Sequence, residues 1–322
     1  MDTLYLALIG CGRYGSHYIP AILEAPEARL AAVCDANADA ASAAAERSGA
    51  PAYTDWREAL DVPGLDGVVI ATPNHLHAPI TRTAAARGLH VFCEKPLATT
   101  LEDVHASIAA CREAGVRLGV GLSSRYAPSF QEAHRMLAAG DLGEAEMITN
   151  VYHYTLAPAE PGRTWHNDPA MLGGGALTQM GIHSLDRVCW FAGAAPAQVY
   201  ARILRGSARW ADNLALVTIA FTSGLAGAVE VAGVASAPRN LFSAHTSRGQ
   251  IEVSERRLAW YDGEWHEREY PWPAIHAAEV RDFCAAIREG RETLSSGETA
   301  LAAHAVCFGA YRSSREAQAV AL

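Results

Sequence analysis

Short apolar runs alternate with helix-permissive stretches over the first part of the chain. The runs cover residues 4–9, 29–34, 67–71, 89–93 and 116–120, and the alanine-rich stretches between them cover 13–25, 37–48, 76–87 and 100–114. Apolar runs of this length predict buried strands. Their alternation with helical stretches predicts βαβ units and a parallel sheet with helices on both faces. The sequence therefore begins with an expected α/β domain.

The pattern changes after about residue 122. Strand-like stretches then follow one another at 145–155, 197–205, 213–221, 225–234, 241–247, 250–254 and 257–261, and helical stretches lie at 127–139, 275–289 and 298–318. A run of strands after an alternating half predicts a second, α+β domain with a mostly antiparallel sheet. We expect one domain over residues 1–122 and the other over 123–322.

Charge and cysteine usage exclude several classes of protein. The net charge is −9 and no Lys/Arg run is present, which makes a nucleic-acid partner unexpected. The apolar runs are too short to cross a membrane, and the first residues, MDTLYLALIGCG, do not read as a signal peptide. Seven scattered cysteines without a CxxC pair indicate a reducing compartment and no metal site. We expect a cytoplasmic protein.

The first strand runs into a glycine motif, GCGRYG. Gly10, Gly12 and Gly15 have the G-x-G-x-x-G spacing, between a predicted strand and a predicted helix. Such glycines allow a tight turn, a close approach to a pyrophosphate and close helix–strand packing, and the helix N-terminus attracts the phosphates. Asp35 ends the second strand, where an acid accepts hydrogen bonds from a ribose 2′-hydroxyl and repels a 2′-phosphate. This favours a Rossmann domain that binds NAD rather than NADP.

Two further loops follow predicted strands at the same edge of the sheet, ATPNHLH at 71–77 and CEKP at 93–96. Loops at the carboxyl ends of parallel strands line the ligand crevice of such domains. Lys95, partly desolvated beside a cationic nicotinamide, is expected to have a lowered pKa that suits proton transfer, although a solvated surface lysine is an equal alternative. A cis bond before Pro96 would aim its side chain.

A third motif, GGGALTQMGIHSLD, spans residues 173–186. Its Gln179, His183 and Asp186 are spaced i, i+4 and i+7, which predicts one polar face on an otherwise apolar helix. Imidazole has an unperturbed pKa of about 6.5, which suits a general base near neutral pH. Taken alone, however, a histidine on a helix is more often structural.

The chain resembles the glucose–fructose oxidoreductase/inositol dehydrogenase (Gfo/Idh/MocA) family over essentially its whole length. The resemblance rests on motifs that occur in the family's order: GCGRYG, Asp35, TPNHLH, CEKPL, SSRYAPSF, GGGALTQMGIHSLD and SSGETALAAHAVCFGAYRSS. The resemblance implies a Rossmann domain, a second domain with a large open sheet used for oligomerisation, and NAD(P)-dependent redox chemistry on a sugar, cyclitol or related polyol. A homodimer or homotetramer is expected.

The resemblance places the family's EKP lysine at Lys95, its motif histidine at His183 and its substrate-contacting acid at Asp186. The other expected site residues follow from their positions at the strand ends and beside the motifs. The expected catalytic residues are Lys95, His183 and Gln179. The expected cofactor contacts are Gly10, Gly12, Arg13, Tyr14, Gly15, Asp35, Thr72, Pro73, Asn74, His77, Glu94, Lys95 and Arg125. The expected substrate contacts are Asp186, Trp165, His166 and His153. Plain alternatives stay open, namely an ion pair with Arg187 or another cation for Asp186, an interdomain salt bridge for Arg125, a packed loop for Trp165 and His166 and a structural role for His153.

One position departs from the family pattern. Relatives often have an aspartate four residues before the motif histidine, where this chain has Gln179. An amide can bind a hydroxyl but cannot accept a proton, so a full Asp–His relay is not expected. Two other functions remain open: a redox glycosidase that oxidises its substrate transiently without net consumption of NAD, and a non-catalytic dinucleotide or sugar sensor.

Overall fold

The computed structural model describes residues 3–155, 168–205 and 212–322. The chain divides into two compact units. The first comprises Met1–Ser123 and Ala274–Glu298, and the second comprises Ser124–Pro273 and Thr299–Leu322. Each unit has its own sheet and its own buried core.

The sheet of the first unit is parallel and has six strands. Numbered in chain order, they are β1 (Leu4–Ile9), β2 (Ala28–Cys34), β3 (Ala52–Tyr53), β4 (Gly67–Ile70), β5 (His90–Cys93) and β6 (Leu118–Val120). Their spatial order is β3-β2-β1-β4-β5-β6, the arrangement of dinucleotide-binding folds. The five predicted strands are all present, and the parallel-sheet prediction is confirmed. Strand β3 was not predicted, because it has only two residues.

Helices complete the first unit. They are α1 (Tyr18–Leu23), α2 (Ala38–Ser48), α3 (Trp56–Leu60), α4 (His77–Ala86), α5 (Leu101–Glu113) and α9 (Ile275–Glu289). Helix α2 shows how the sequence sets such bounds. The Asn37 side chain accepts hydrogen bonds from two backbone N–H groups of the first turn, and Gly49 ends the helix with φ +74°. In the core, Leu6, Phe92 and Phe283 are buried, and each contributes about 1.5–3 kcal/mol.

The second unit contains a nine-stranded sheet. Its strands are β7 (Ala145–Thr155), β8 (Pro196–Leu204), β9 (Leu214–Phe221), β10 (Ala226–Ala232), β11 (Val234–Thr246), β12 (Gly249–Val253), β13 (Arg257–Tyr261), β14 (Trp265–Glu269) and β15 (Val320–Ala321). The order is β14-β13-β12-β11-β7-β10-β9-β8-β15, in which β10 pairs with β7 in parallel and the other neighbours pair antiparallel. The predicted large, mostly antiparallel sheet is confirmed.

One face of this sheet packs against helices and the other is open. The helices of the second unit are α6 (Pro128–Ala138), α7 (Pro169–Leu172), α8 (Ile182–Ala192) and α10 (Gly297–Glu316), the last of which begins in the first unit. Alternation along β9 separates the faces, because Val217 is buried among the helices while Leu216 is 59% exposed. Within the described ranges, none of the helices is long and apolar enough to cross a bilayer.

Candidate active site

The glycine motif forms a tight turn at the carboxyl end of β1. Gly10 has φ +94°, and a Cβ there would lie 2.5 Å from the Ala71 carbonyl oxygen, so the loops after β1 and β4 touch through bare backbone. A Cβ on Gly15 would overlap the Gly10 carbonyl. In contrast, a Cβ on Gly12 would have no heavy atom within 4 Å. The middle glycine therefore leaves the open space that a pyrophosphate needs, while the other two close the turn.

Asp35 lies just beyond β2 and faces this turn. One carboxylate oxygen accepts the Cys11 N–H at 2.9 Å, and the other accepts the Asn37 N–H at 2.9 Å. These two bonds fix the carboxylate beside the glycine loop, where the sequence analysis expected an acid to meet the ribose.

The loop after β4 contributes a buried hydroxyl. The Thr72 Oγ1 is shielded from solvent and has no hydrogen-bond partner among the described residues. A buried hydroxyl without a partner is costly unless a ligand completes its bonding. Together with the space at Gly12, this fits the bound dinucleotide that the motif predicts.

His77 has a different place from the one expected. Its Nδ1 lies 2.7 Å from the Pro96 carbonyl oxygen and its Nε2 lies 2.8 Å from the Thr72 carbonyl oxygen, and the ring is 1% exposed. Burial lowers the pKa of His77. The ring thus joins the loop after β4 to the loop after β5, a placement that argues against the direct cofactor contact expected for His77.

Lys95 lies on the loop after β5, and its peptide bond to Pro96 is cis. The Lys95 N–H donates to the Glu94 carboxylate at 3.1 Å. Burial lowers the pKa of the Lys95 ammonium, and the opposing effect of the Glu94 charge is smaller. The lysine therefore has the desolvated environment that the sequence analysis expected.

In the second unit, the three glycines lead into the helix that carries His183. The Gly175 N–H donates to the Tyr311 hydroxyl at 2.9 Å, and this hydroxyl donates to the Asp212 carboxylate at 2.7 Å. Asp212 also accepts the Leu177 N–H at 3.1 Å. A carboxylate at a helix start satisfies otherwise unpaired N–H groups. Neither Asp212 nor Tyr311 was predicted, because both lie far from the glycine motif in sequence.

The predicted polar face is interrupted by a π-helical turn over Leu177–Gly181, just before α8. A π turn holds more residues than an α turn, so Gln179 is rotated relative to the i, i+4, i+7 face that the spacing predicts. Gln179 is 9% exposed and Asp186 is 1% exposed, whereas His183 is half-buried. His183 is thus the most accessible of the three.

Asp186 forms a buried ion pair with Arg125. Its oxygens accept the Arg125 Nη2 at 2.6 Å and Nε at 3.1 Å, and the two side chains are 1% and 2% exposed. Arg125 also donates to the Thr299 Oγ1 at 2.8 Å. This geometry favours the ion-pair alternative for Asp186, with Arg125 rather than Arg187 as the cation. It argues against the expected substrate contact of Asp186 and the expected cofactor contact of Arg125.

Arg187, the next residue on α8, holds the helix to the sheet. Its guanidinium donates to the Ser124 hydroxyl at 2.9 Å, to Asn150 at 3.2 Å and to Asn240 at 2.5 Å. The side chain is 4% exposed and also pairs with Glu255 at 3.2 Å. The buried guanidiniums of Arg125 and Arg187 therefore both hold the helix that carries His183.

Of the three remaining expected substrate residues, His153 lies within the described part of the chain. The His153 Nε2 lies 2.6 Å from Glu230 on the neighbouring strand β10. Alternation along β7 puts His153 on the same face as the exposed Met147, whereas Asn150, which donates to Ser184 of α8, lies on the other face. This placement argues against the substrate role expected for His153. Trp165 and His166 lie outside the described residues.

Comparison with known proteins decides the family. The family description "Oxidoreductase family, NAD-binding Rossmann fold" (GFO_IDH_MocA) matches residues 4–122, and the "GFO/IDH/MocA C-terminal domain" matches residues 130–252. The chain belongs to the Gfo/Idh/MocA family. The predicted family and the predicted NAD cofactor are thereby confirmed, and the protein is an NAD-dependent oxidoreductase.

The similar proteins include sugar and cyclitol dehydrogenases. Inositol 2-dehydrogenase of Rhizobium meliloti is 29% identical and covers 99% of each chain. D-apiose dehydrogenase of Paraburkholderia graminis is 29% identical over 98% of this chain and 89% of its own. Among solved structures, the aldose–aldose oxidoreductase from Caulobacter crescentus complexed with glycerol is 28% identical, covers both chains fully and has a TM-score of 0.90.

Proposed function

We propose that the protein transfers a hydride between NAD and a secondary alcohol or ketone of a sugar, cyclitol or related polyol. One observation carries the assignment of its catalytic amine. Lys95 is the single lysine of the chain, whose lysines and arginines total 26. An arginine cannot lose its proton near neutral pH, whereas the pKa of a lysine falls readily on burial. Lys95 is therefore the only lysine amine that the chain can offer to the reacting oxygen.

The roles follow from the chemistry of an alcohol oxidation. NAD⁺ when bound supplies the hydride acceptor. Lys95 donates a hydrogen bond to the reacting oxygen and stabilises the charge that develops there. His183 takes the hydroxyl proton as general base, and Gln179 binds a substrate hydroxyl as a neutral neighbour. Loss of a positioned acid–base group lowers the rate by roughly 10²–10⁴.

The first unit supplies the cofactor contacts in this proposal. Support comes from the open space at Gly12, the fixed carboxylate of Asp35 and the buried hydroxyl of Thr72. We assign the dinucleotide to the loops after β1, β2 and β4, at Gly10, Gly12, Arg13, Tyr14, Gly15, Asp35, Thr72, Pro73 and Asn74. The carboxylate of Glu94, which was also expected to contact the cofactor, is bonded to Tyr18 and to the Lys95 N–H instead. The Asp35 carboxylate would repel a 2′-phosphate, which favours NAD over NADP.

The proposal is tested by NADH absorbance after NAD⁺ is mixed with a panel of aldoses, cyclitols and 1,5-anhydro sugars. We expect one class to reduce NAD⁺, and we expect His183→Ala and Lys95→Ala to lower kcat/KM about 10²–10⁴-fold. His266→Ala is the matched control, because this half-buried hairpin histidine of β14 belongs to neither expected site and contacts Asp262 and the Trp260 ring. Silence across the panel, with NAD⁺ binding shown separately, would contradict the proposal.

The open face of the large sheet supports a homo-oligomer. Large apolar side chains on this face are exposed, among them Met147 (42%), Tyr200 (41%) and Leu216 (59%). An exposed apolar patch of this kind marks an association surface. We propose a homodimer or homotetramer through this face. Light scattering should give a multiple of 34.3 kDa that falls in Leu216→Arg but not in Leu23→Arg, a change of an exposed leucine in the first unit.

We also propose a cytoplasmic location. All seven cysteines are buried and free. Burial raises the pKa values of the Cys11, Cys34 and Cys111 thiols to about 12, which keeps them protonated and unreactive. Thiol titration in denaturant after extraction under acid should count seven free thiols; fewer would argue for an oxidising compartment.

A further inference from the structure

Two buried carboxyl groups meet at one phenol behind the lysine loop. The Tyr18 hydroxyl on α1 is hydrogen-bonded to Glu94 Oε1 and, at 3.0 Å, to Glu279 Oε2 on α9. Tyr18, Glu94 and Glu279 are 0%, 5% and 1% exposed. All three belong to the first unit. Neither Tyr18 nor Glu279 was singled out by the sequence motifs.

Proton counting restricts the charge of this cluster. A phenol has one proton and can donate it to one acceptor only, and an ionised carboxylate has none to give. Two hydrogen bonds from one neutral phenol to two carboxyl groups therefore require one of the carboxyl groups to be protonated. The alternative, two ionised carboxylates side by side without solvent, is strongly unfavourable.

The surroundings identify the protonated partner. Burial raises the pKa of Glu94, but the nearby Lys95 charge and the hydrogen bonds that Glu94 accepts from Tyr18 and, at 3.1 Å, from the Lys95 N–H oppose this rise and favour its ionised form. Glu279 has no such support, because its Oε1 is buried without a hydrogen-bond partner among the described residues. Burial, followed by the Glu94 charge, raises the pKa of Glu279 well above its usual value. The proton therefore belongs on Glu279 Oε2, which donates to Tyr18, and Tyr18 donates to Glu94.

We propose that Glu94, Tyr18 and Glu279 form a hydrogen-bonded chain in which a protonated Glu279 orients Tyr18, Tyr18 holds Glu94 ionised, and Glu94 acts as the positioning residue that keeps the Lys95 ammonium charged. The hydrogen bonds among these three residues do not depend on the proposed reaction. Its catalytic consequence rests on the proposed function, since it concerns the amine that meets the substrate oxygen.

A close fit supports the placement of the Glu94 carboxylate. A Cβ on Gly121 would lie within 2.9 Å of both carboxylate oxygens, so the backbone after β6 closes one side of the group.

Burial lowers the pKa of His276, whose ring contacts Tyr18, to about 4. Burial also lowers the pKa of His77 and raises that of Cys93. Other titratable groups face the three hydrogen-bonded residues from neighbouring elements; they are Tyr14, His17, His75, His77, Cys93, Cys111 and His276.

The single lysine makes the charge on Lys95 directly measurable. Protein labelled with ¹³C-lysine gives one side-chain Cε signal, and its shift against pH reports the pKa of Lys95 without any substrate. We expect Glu94→Gln to lower this pKa by about 1–3 pH units, because it removes the nearby opposite charge. The control is Glu289→Gln, an exposed glutamate on α9 that pairs with Arg291. An unchanged titration in Glu94→Gln would overturn the role assigned to Glu94.

Infrared spectroscopy locates the shared proton. A protonated carboxylic acid has a carbonyl stretch that carboxylates lack, and we expect this band in the unaltered protein at neutral pH. It should vanish in Glu279→Gln and persist in Glu94→Gln. Absence of the band from the unaltered protein, or its loss in Glu94→Gln alone, would overturn the proposed hydrogen-bonded chain of Glu279, Tyr18 and Glu94. Both measurements need no turnover, so they can succeed or fail independently of the polyol panel.

Discussion

Removal of the Asp186 carboxylate separates a structural role from a substrate contact. In Asp186→Ala, the Arg125 guanidinium loses two hydrogen bonds, at 2.6 and 3.1 Å, and its counter-charge. No water can replace them easily, because the two side chains are 1–2% exposed. Removing one partner of a buried ion pair lowers the free energy of unfolding by about 3–5 kcal/mol.

This cost translates into a large thermal shift. For domains of roughly 150–250 residues, 1 kcal/mol corresponds to about 2–4 °C in Tm. We therefore expect Asp186→Ala to lower Tm by about 6–20 °C. The double variant Arg125→Met/Asp186→Leu should recover most of the loss, because apolar residues of similar volume replace a buried pair at little cost.

Differential scanning calorimetry measures the effect, and the Arg87–Asp61 pair provides the control. It has the same chemistry and a contact of 2.7 Å, but its side chains are 33% and 63% exposed. Asp61→Ala should therefore cost only about 0.2–1 kcal/mol. If Asp186→Ala shifted Tm no more than Asp61→Ala and instead raised KM for the polyol, the ion-pair assignment would be refuted and Asp186 would be a substrate ligand.

Three further predictions follow from the first unit. Gly15→Ala should destabilise the fold by about 1–3 kcal/mol, because its Cβ overlaps backbone. Gly12→Ala should leave Tm unchanged and weaken NAD⁺ binding, because a Cβ there meets only open space. Calorimetry and NAD⁺ titration that gave equal effects for the two variants would contradict the roles assigned to these two glycines. Asp35→Ala should reduce the preference for NAD⁺ over NADP⁺, measured as the ratio of kcat/KM with NAD⁺ to kcat/KM with NADP⁺. An unaltered ratio would contradict the contact between Asp35 and the ribose. Because the pKa of Glu279 is raised above its ordinary 4.5 on folding, its stabilisation is complete below that pH and declines as pH rises through the folded-state pKa. Glu279→Gln should accordingly gain Tm relative to the unaltered protein as pH rises, and parallel Tm–pH curves would contradict this.

The fold was predictable because its signals are local. Apolar runs and glycine turns mark β1, β2, β4, β5 and β6, and the Asp262–Gly263 pair marks the β13–β14 hairpin. In contrast, β3 has two residues, too few to show a period. The family motifs located the glycine cradle and Lys95 for the same reason, since each motif is contiguous in sequence.

The contacts that support the site were not predictable because they join distant positions. Asp212 and Tyr311 hold the segment before α8 from positions far along the chain, and a spacing rule applied to 179, 183 and 186 assumes an α-helix, which the π turn breaks. Glu279 did leave a signal. It occupies a buried stripe of α9 beside Val280 and Phe283, where an acid needs a partner.

Hydride transfer itself is the central claim, and isotope transfer tests it most directly. The panel member that reduces NAD⁺ would be prepared with deuterium on its carbinol carbon, and the NADH formed would be isolated and examined by NMR. The account predicts one deuterium at nicotinamide C4 and a slower reaction than with the unlabelled compound. NADH without deuterium, with the label released to water, or the absence of any reacting polyol would contradict it.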